Sequence, residues 1–207
     1  SDVYKRQLID RVSSSKGKLN LPEKLTDGPE MVLRGACVGL QKMTYLPGHG
    51  VYEYPYTPES FPWFYDKEQW IKYLDMLVAN RMNSLYLWNG HPFASLVKLK
   101  DYPFALEVDE ETFKKNEEMF SFLTEEADKR GIFVIQMFYN IILSKPFAEH
   151  YGLRTQDRNR PITPLIADYT RKSIAAFIEK YPNVGLLVCL GEAMCTVEDD
   201  VEWFTKT

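Results

Sequence analysis

The chain has 207 residues, a formal net charge of -4 and an aromatic content of 14%. That length can bury one substantial core, and a mildly acidic balance excludes the basic face that binding nucleic acid or a membrane surface requires. No apolar run approaches the roughly 20 residues of a membrane span, and three cysteines without a CxxC pair predict neither a disulfide framework nor a zinc site.

The opening Ser1-Asp2-Val3-Tyr4-Lys5-Arg6-Gln7 resembles a leader translated from assembled reads, so localisation is not read from this end. From Leu8 to Glu30 the chain is polar and broken by Gly, Pro and a serine run. Residues 1–30 are therefore expected to be a leader and linker, or the remnant of an upstream domain, with one domain over 31–207. Met31 to Leu40 is a short apolar run fit for a buried strand. After a long loop, Asp66 with Gln69 three residues on predicts a helix start, and Trp70, Leu74, Leu77 and Val78 give that helix one apolar face. Ser84 to Trp88 is the second strand. Asp109, Glu110 and Glu111 place acid at the start of the next helix. Phe113, Phe120, Leu123 and Ala127 point inward along it, and Gly131 stops it.

Ile132 to Phe138 is the third strand, followed by a loop to the cap-then-proline pair Thr163-Pro164. Ile166, Ser173, Phe177 and Ile178 are expected to line that helix until Pro182 forbids its continuation. Val184 to Leu190 is the fourth strand, and Val197 to Thr207 looks like a fourth helix. Cys37 and Cys189 fall inside strand runs and are expected to be small buried hydrophobes. Strands that are apolar without alternation are covered on both faces, as in parallel sheets, and their alternation with helices gives an α/β fold. An open doubly wound sheet and half of an eightfold barrel both fit. No glycine-rich phosphate loop follows the first strand, and the pattern stops inside a repeat. The expected fold is therefore a TIM (β/α)8 barrel truncated to about its first four β/α units.

Such barrels carry their active sites at the C-terminal ends of the strands. Those ends read Gln41-Lys42, then Trp88-Asn89-Gly90-His91, then Tyr139-Asn140, then Gly191-Glu192. Polar groups beside rings are what recognition of a hydroxylated ring demands. Glu192, beyond an apolar strand and after a glycine, can be partly desolvated and so keep a proton for a leaving oxygen; its plain alternative is a solvated loop glutamate or a helix cap. Asn89, Tyr139 and Asn140 would hold hydroxyls or serve ordinary turns. Trp88 would be a stacking platform or barrel packing, and His91 an exposed loop residue or a donor to a sugar hydroxyl. The loop from Met43 to Tyr65 is rich in rings and prolines and would wall a cleft, form a lid or make an interface. Arg154, Arg158 and Arg160 would either pair with a carboxylate-bearing sugar or form a solvated charged loop. No HxH or HExxH spacing supports a metal, and no cofactor is called for.

Tyr139-Asn140-Ile141, Ser144, Pro146, Gly152-Leu153, Thr155, Asp157, Tyr181-Pro182 and the strand into Gly191-Glu192 together resemble the central barrel of α-glucuronidases. Arg34-Gly35 is also reminiscent of β-hexosaminidases, whose equivalent arginine contacts sugar hydroxyls, although Gly191 stands where those enzymes carry an aspartate. These resemblances imply a glycosidase acting on a poly- or oligosaccharide, uronic-acid-containing substrates included, in an exported parent, periplasmic or secreted. In it Glu192 is the general acid and Arg34, Trp88, Asn89, Tyr139 and Asn140 hold the sugar. The second carboxylate that glycoside hydrolysis needs is absent from the first three strand ends and is expected beyond Thr207, so these residues alone would be inactive. A non-catalytic carbohydrate-binding barrel and an open-sheet ligand-binding domain are the alternatives.

Overall fold

In the computed structural model, residues 9, 10, 12–14, 28–46, 49–53, 55–189 and 194–207 are described. The strands are β1 (Gly35–Gly39), β2 (Lys42–Leu46), β3 (His49–Glu53), β4 (Ser84–Trp88), β5 (Phe133–Tyr139) and β6 (Val184–Cys189). The helices are α1 (Lys67–Ala79), α2 (Phe93–Leu96), α3 (Glu110–Lys129), α4 (Lys145–His150), α5 (Pro164–Lys180) and α6 (Val197–Lys206).

Local chemistry sets the helix starts. Asp66 accepts the Gln69 amide at 2.9 Å, Asp109 that of Thr112 at 2.7 Å, and Thr163 that of Ile166 at 3.3 Å. Each removes an orphan donor of a first turn. Gly131 ends the α3 region with φ 70, a left-handed conformation that costs glycine little. The expected inward residues of α1 and α3 are buried. On α5 the expectation holds for Ile166, Ser173 and Phe177, whereas Ile178 is exposed and Tyr169 is buried instead.

β1, β4, β5 and β6 form one parallel sheet in that order. Strictly sequential order with right-handed crossovers places the connecting helices on one face, and α1 and α2 both pack on α3. Leu85, Leu87, Val134, Gln136 and Phe138 point into that helix layer and are buried. A doubly wound sheet would reverse direction and cover both faces. The arrangement is α/β with a four-stranded parallel sheet, consistent with the opening units of a barrel.

On the opposite face Phe133 and Leu187 are exposed, and so is Cys37. The expectation of a buried Cys37 fails because, among the described residues, β1 is an edge strand and this face carries no helix layer. The loop after β1 holds the antiparallel hairpin β2–β3, which the sequence reading missed. The short helices α2 and α4 were missed as well, being under two turns long and without a resolvable apolar period.

Candidate active site

Trp88 and Tyr139 end β4 and β5, and register puts both on the face turned away from the helices: Trp88 pairs with Met137, and Tyr139 with Cys189. Their rings meet edge to face with centroids 5.5 Å apart, and both are half-buried. The sheet brings these two predicted residues together from positions 51 apart in sequence, giving an aromatic surface at the C-terminal ends of the strands.

The asparagines one position further on are engaged differently. Asn89 is fully buried, its amide donating to the Leu40 carbonyl at 2.6 Å while its oxygen accepts the His91 N–H at 2.8 Å. It ties the ends of β1 and β4 together and is set apart from the aromatic face. Asn140 is buried; its N–H donates to the Cys189 carbonyl at 3.0 Å and its side-chain amide to Thr207 Oγ1 at 3.0 Å. Among the described residues its buried Oδ1 has no hydrogen-bond partner, a state that costs free energy until a donor arrives.

Arg34 stands before β1, at the opposite end of the sheet, about 17 Å from the strand's C-terminal end at 3.3 Å per residue. Its guanidinium donates to the carbonyls of Arg81, Met31 and Val32. The position expected from the hexosaminidase likeness therefore falls away from Trp88 and Tyr139. Glu192, with Gly191, lies outside the described residues.

His91 is not the exposed loop histidine of the sequence reading. It is buried, with Nε2 2.8 Å from the Tyr169 hydroxyl, and desolvation pushes its pKa down to about 3. Glu107 went unnoticed in the sequence. Its Oε1 accepts the Lys145 N–H at 2.5 Å at the start of α4, and burial raises its carboxyl to about 7. The one available signal was an acid near a strand-end loop, which many solvated glutamates share.

From residue 55 on, the aromatic loop is core rather than cleft wall. Tyr56 and Phe64 are fully buried, and Asn116 fixes the loop by donating to the Tyr56 carbonyl at 2.9 Å while accepting the Tyr65 hydroxyl at 2.5 Å. The side chains of residues 43–54 lie outside the described set. A cavity of about 240 Å³ beside Val38, Trp63, Gln69, Trp70 and Tyr73 belongs to the helix side of β1, away from the Trp88–Tyr139 face. Of the arginine cluster, Arg154 and Arg158 are exposed and Arg160 is buried. Among the described residues, no group of three or more His, Cys, Asp or Glu is gathered to hold a metal, and no helix is long and apolar enough to cross a membrane.

No family model matches the chain, and no curated protein matches it. A solved structure does: a GH138 enzyme targeting pectin rhamnogalacturonan II is 83% identical to it, with a TM-score of 0.89. The chain is a close relative of one segment of a glycoside hydrolase. The match covers 98% of this chain and 23% of that enzyme, so the chain spans about a quarter of its relative's length.

Proposed function

We propose that this chain supplies one side of the active site of a glycoside hydrolase acting on a pectic polysaccharide, on a (β/α)8 barrel of which β1, β4, β5 and β6 are the first four barrel strands. The observation that carries this reading is the 83% identity to the GH138 enzyme over nearly the whole chain. The sequential parallel sheet and the paired rings at its C-terminal ends support it independently.

In this reading Trp88 and Tyr139 form an apolar platform against a sugar face, and the unpartnered Oδ1 of Asn140 accepts a hydroxyl. Glu192 follows β6 after a glycine and protonates the leaving glycosidic oxygen. Water is excluded on one side by the rings. The second carboxylate comes from chain beyond these strands. Pectins carry carboxylated sugars, which agrees with the uronic-acid substrates expected from the α-glucuronidase likeness. The alternative roles of Arg34 and Asn89 are structural: each holds backbone carbonyls.

The test is hydrolysis of pectic oligosaccharides and aryl glycosides, glucuronides and galacturonides included, by the full-length enzyme and its Glu192→Gln variant. A loss of roughly 10²–10⁴-fold in kcat with substrate binding retained is expected of a missing general acid. A fully active variant would remove Glu192 from the mechanism. No turnover by either protein would favour a barrel that binds carbohydrate without cleaving it.

A further inference from the structure

Tyr169 on α5 is 1% exposed and carries a hydroxyl into the core, where a polar group is tolerated only with partners. Its oxygen lies 2.8 Å from His91 Nε2, and the two rings stack with centroids 5.8 Å apart. Ser144, fully buried, meets the same oxygen through its hydroxyl and its N–H. With Ser144 as donor, the phenol donates in turn to the neutral imidazole. Phe147 stacks on the Tyr169 ring with centroids 4.0 Å apart and donates its N–H to Ser144 Oγ at 3.3 Å.

These partners come from the two segments that leave the sheet beside the paired rings. His91 stands three residues after Trp88, and Ser144 five after Tyr139. The first segment is bonded directly to β5. The Asn89 N–H donates to the Met137 carbonyl at 3.3 Å, and the Gly90 carbonyl accepts the Tyr139 N–H at 3.1 Å. The His91 N–H returns to Asn89 Oδ1 at 2.8 Å. A displacement of His91 is therefore passed through Asn89 and Gly90 to the backbone of both ring-bearing strands. The second segment ends at Ser144, the N-cap of α4. One phenol thus holds both exits against α5. Trp88 and Tyr139 are only half-buried, so packing alone does not enclose their rings, and the backbone that carries them sets where the aromatic surface lies.

We propose that Tyr169 is a positioning residue for the Trp88–Tyr139 platform, its hydroxyl locking the exits of β4 and β5 to α5 so that the two rings stay aligned to receive a sugar face. The proposal rests on the reading of these rings as the sugar platform. Tyr169 acts through His91 and Ser144 and touches no substrate.

The experiment measures kcat and KM of the full-length enzyme on pectic oligosaccharides for Tyr169→Phe, Trp88→Ala and the double variant. A platform binds ground state and transition state alike, so disturbing it raises KM with little change in kcat. Tyr169→Phe keeps the ring and deletes the hydroxyl. It is expected to raise KM by about 3–10-fold and to change kcat by less than about 2-fold. In the Trp88→Ala background the same substitution should raise KM by less than about 2-fold, a non-additivity that a general loss of stability does not produce. His91→Gln, which keeps an acceptor for the phenol, should stay closer to the parent than His91→Leu. An unchanged KM in Tyr169→Phe, a loss confined to kcat, or an equal rise in KM with and without Trp88 overturns the proposal. Ser144→Ala, expected to raise KM in the same direction, decides if Tyr169→Phe does not fold. If Trp88→Ala raises KM and Tyr169→Phe does not, only the role of Tyr169 falls. If Trp88→Ala leaves KM unchanged, the platform reading itself falls, and the proposal with it.

Discussion

His91 and Glu107 are two buried groups whose protonation should leave opposite marks on stability. The His91 ring is held neutral, with a folded pKa of about 3 against 6.5 in the unfolded chain. A depressed pKa gives stability that is present above 6.5 and is lost as pH falls toward 3. Between pH 7 and pH 5 the unfolded histidine gains its proton while the folded one does not, costing about 2 kcal/mol. Glu107 runs the other way. Its folded pKa of about 7 exceeds the ordinary 4.5, so its contribution falls as pH rises through that window. Going from pH 7 down to 5 it returns up to about 2 kcal/mol. The two nearly cancel, and the protein should show a flat stability profile between pH 5 and 7 from these groups. Glu107→Gln exposes the histidine: its neutral side chain still accepts the Lys145 N–H, so only the titration is removed. Urea unfolding of that variant should then show a midpoint lower by about 1 M at pH 5 than at pH 7, for a slope near 2 kcal/mol per M. An unshifted midpoint in Glu107→Gln, or a His91 imidazole resonance titrating near 6.5, refutes the buried-pair reasoning.

Other outcomes follow from the same contacts. At pH 8, Glu107→Gln should be more stable than the parent by about 1–3 kcal/mol, measured by urea unfolding, because the ionised form of a buried carboxyl is removed. Asn89→Ala should cost about 1–3 kcal/mol of stability, since the Leu40 carbonyl and His91 N–H lose a shared partner, while Trp88→Ala should instead weaken substrate binding in calorimetric titration. Gly35→Ala should cost at least about 2 kcal/mol in thermal unfolding, because a Cβ there runs into the Ser84 carbonyl of the paired strand.

The four strands of the parallel sheet and the helices α1, α3, α5 and α6 were legible because each carried a local signal, which the hairpin β2–β3 and the short α2 and α4 lacked. Caps at Asp66, Asp109 and Thr163, the stop at Gly131 and the apolar runs all act within a few residues, so one sequence suffices to find them. Trp88 and Tyr139 could be named as strand-end residues for the same reason. That their rings meet depends on the register of β4 against β5, which only the tertiary structure decided. Side-chain direction was likewise undecidable locally. Asn89 and Asn140 read in sequence as holders of hydroxyls or as ordinary turn residues, yet a long-range carbonyl at Leu40 and a hydroxyl at Thr207 draw them inward. Arg34 was displaced from the candidate site by the direction of β1, and His91 was buried by Tyr169, 78 positions away. Cys37 went the other way, apolar in its sequence context but exposed because its strand is an edge. Burial, partner and pKa belong to the packing of distant segments, so the order of the elements can be read from residues and their environments cannot.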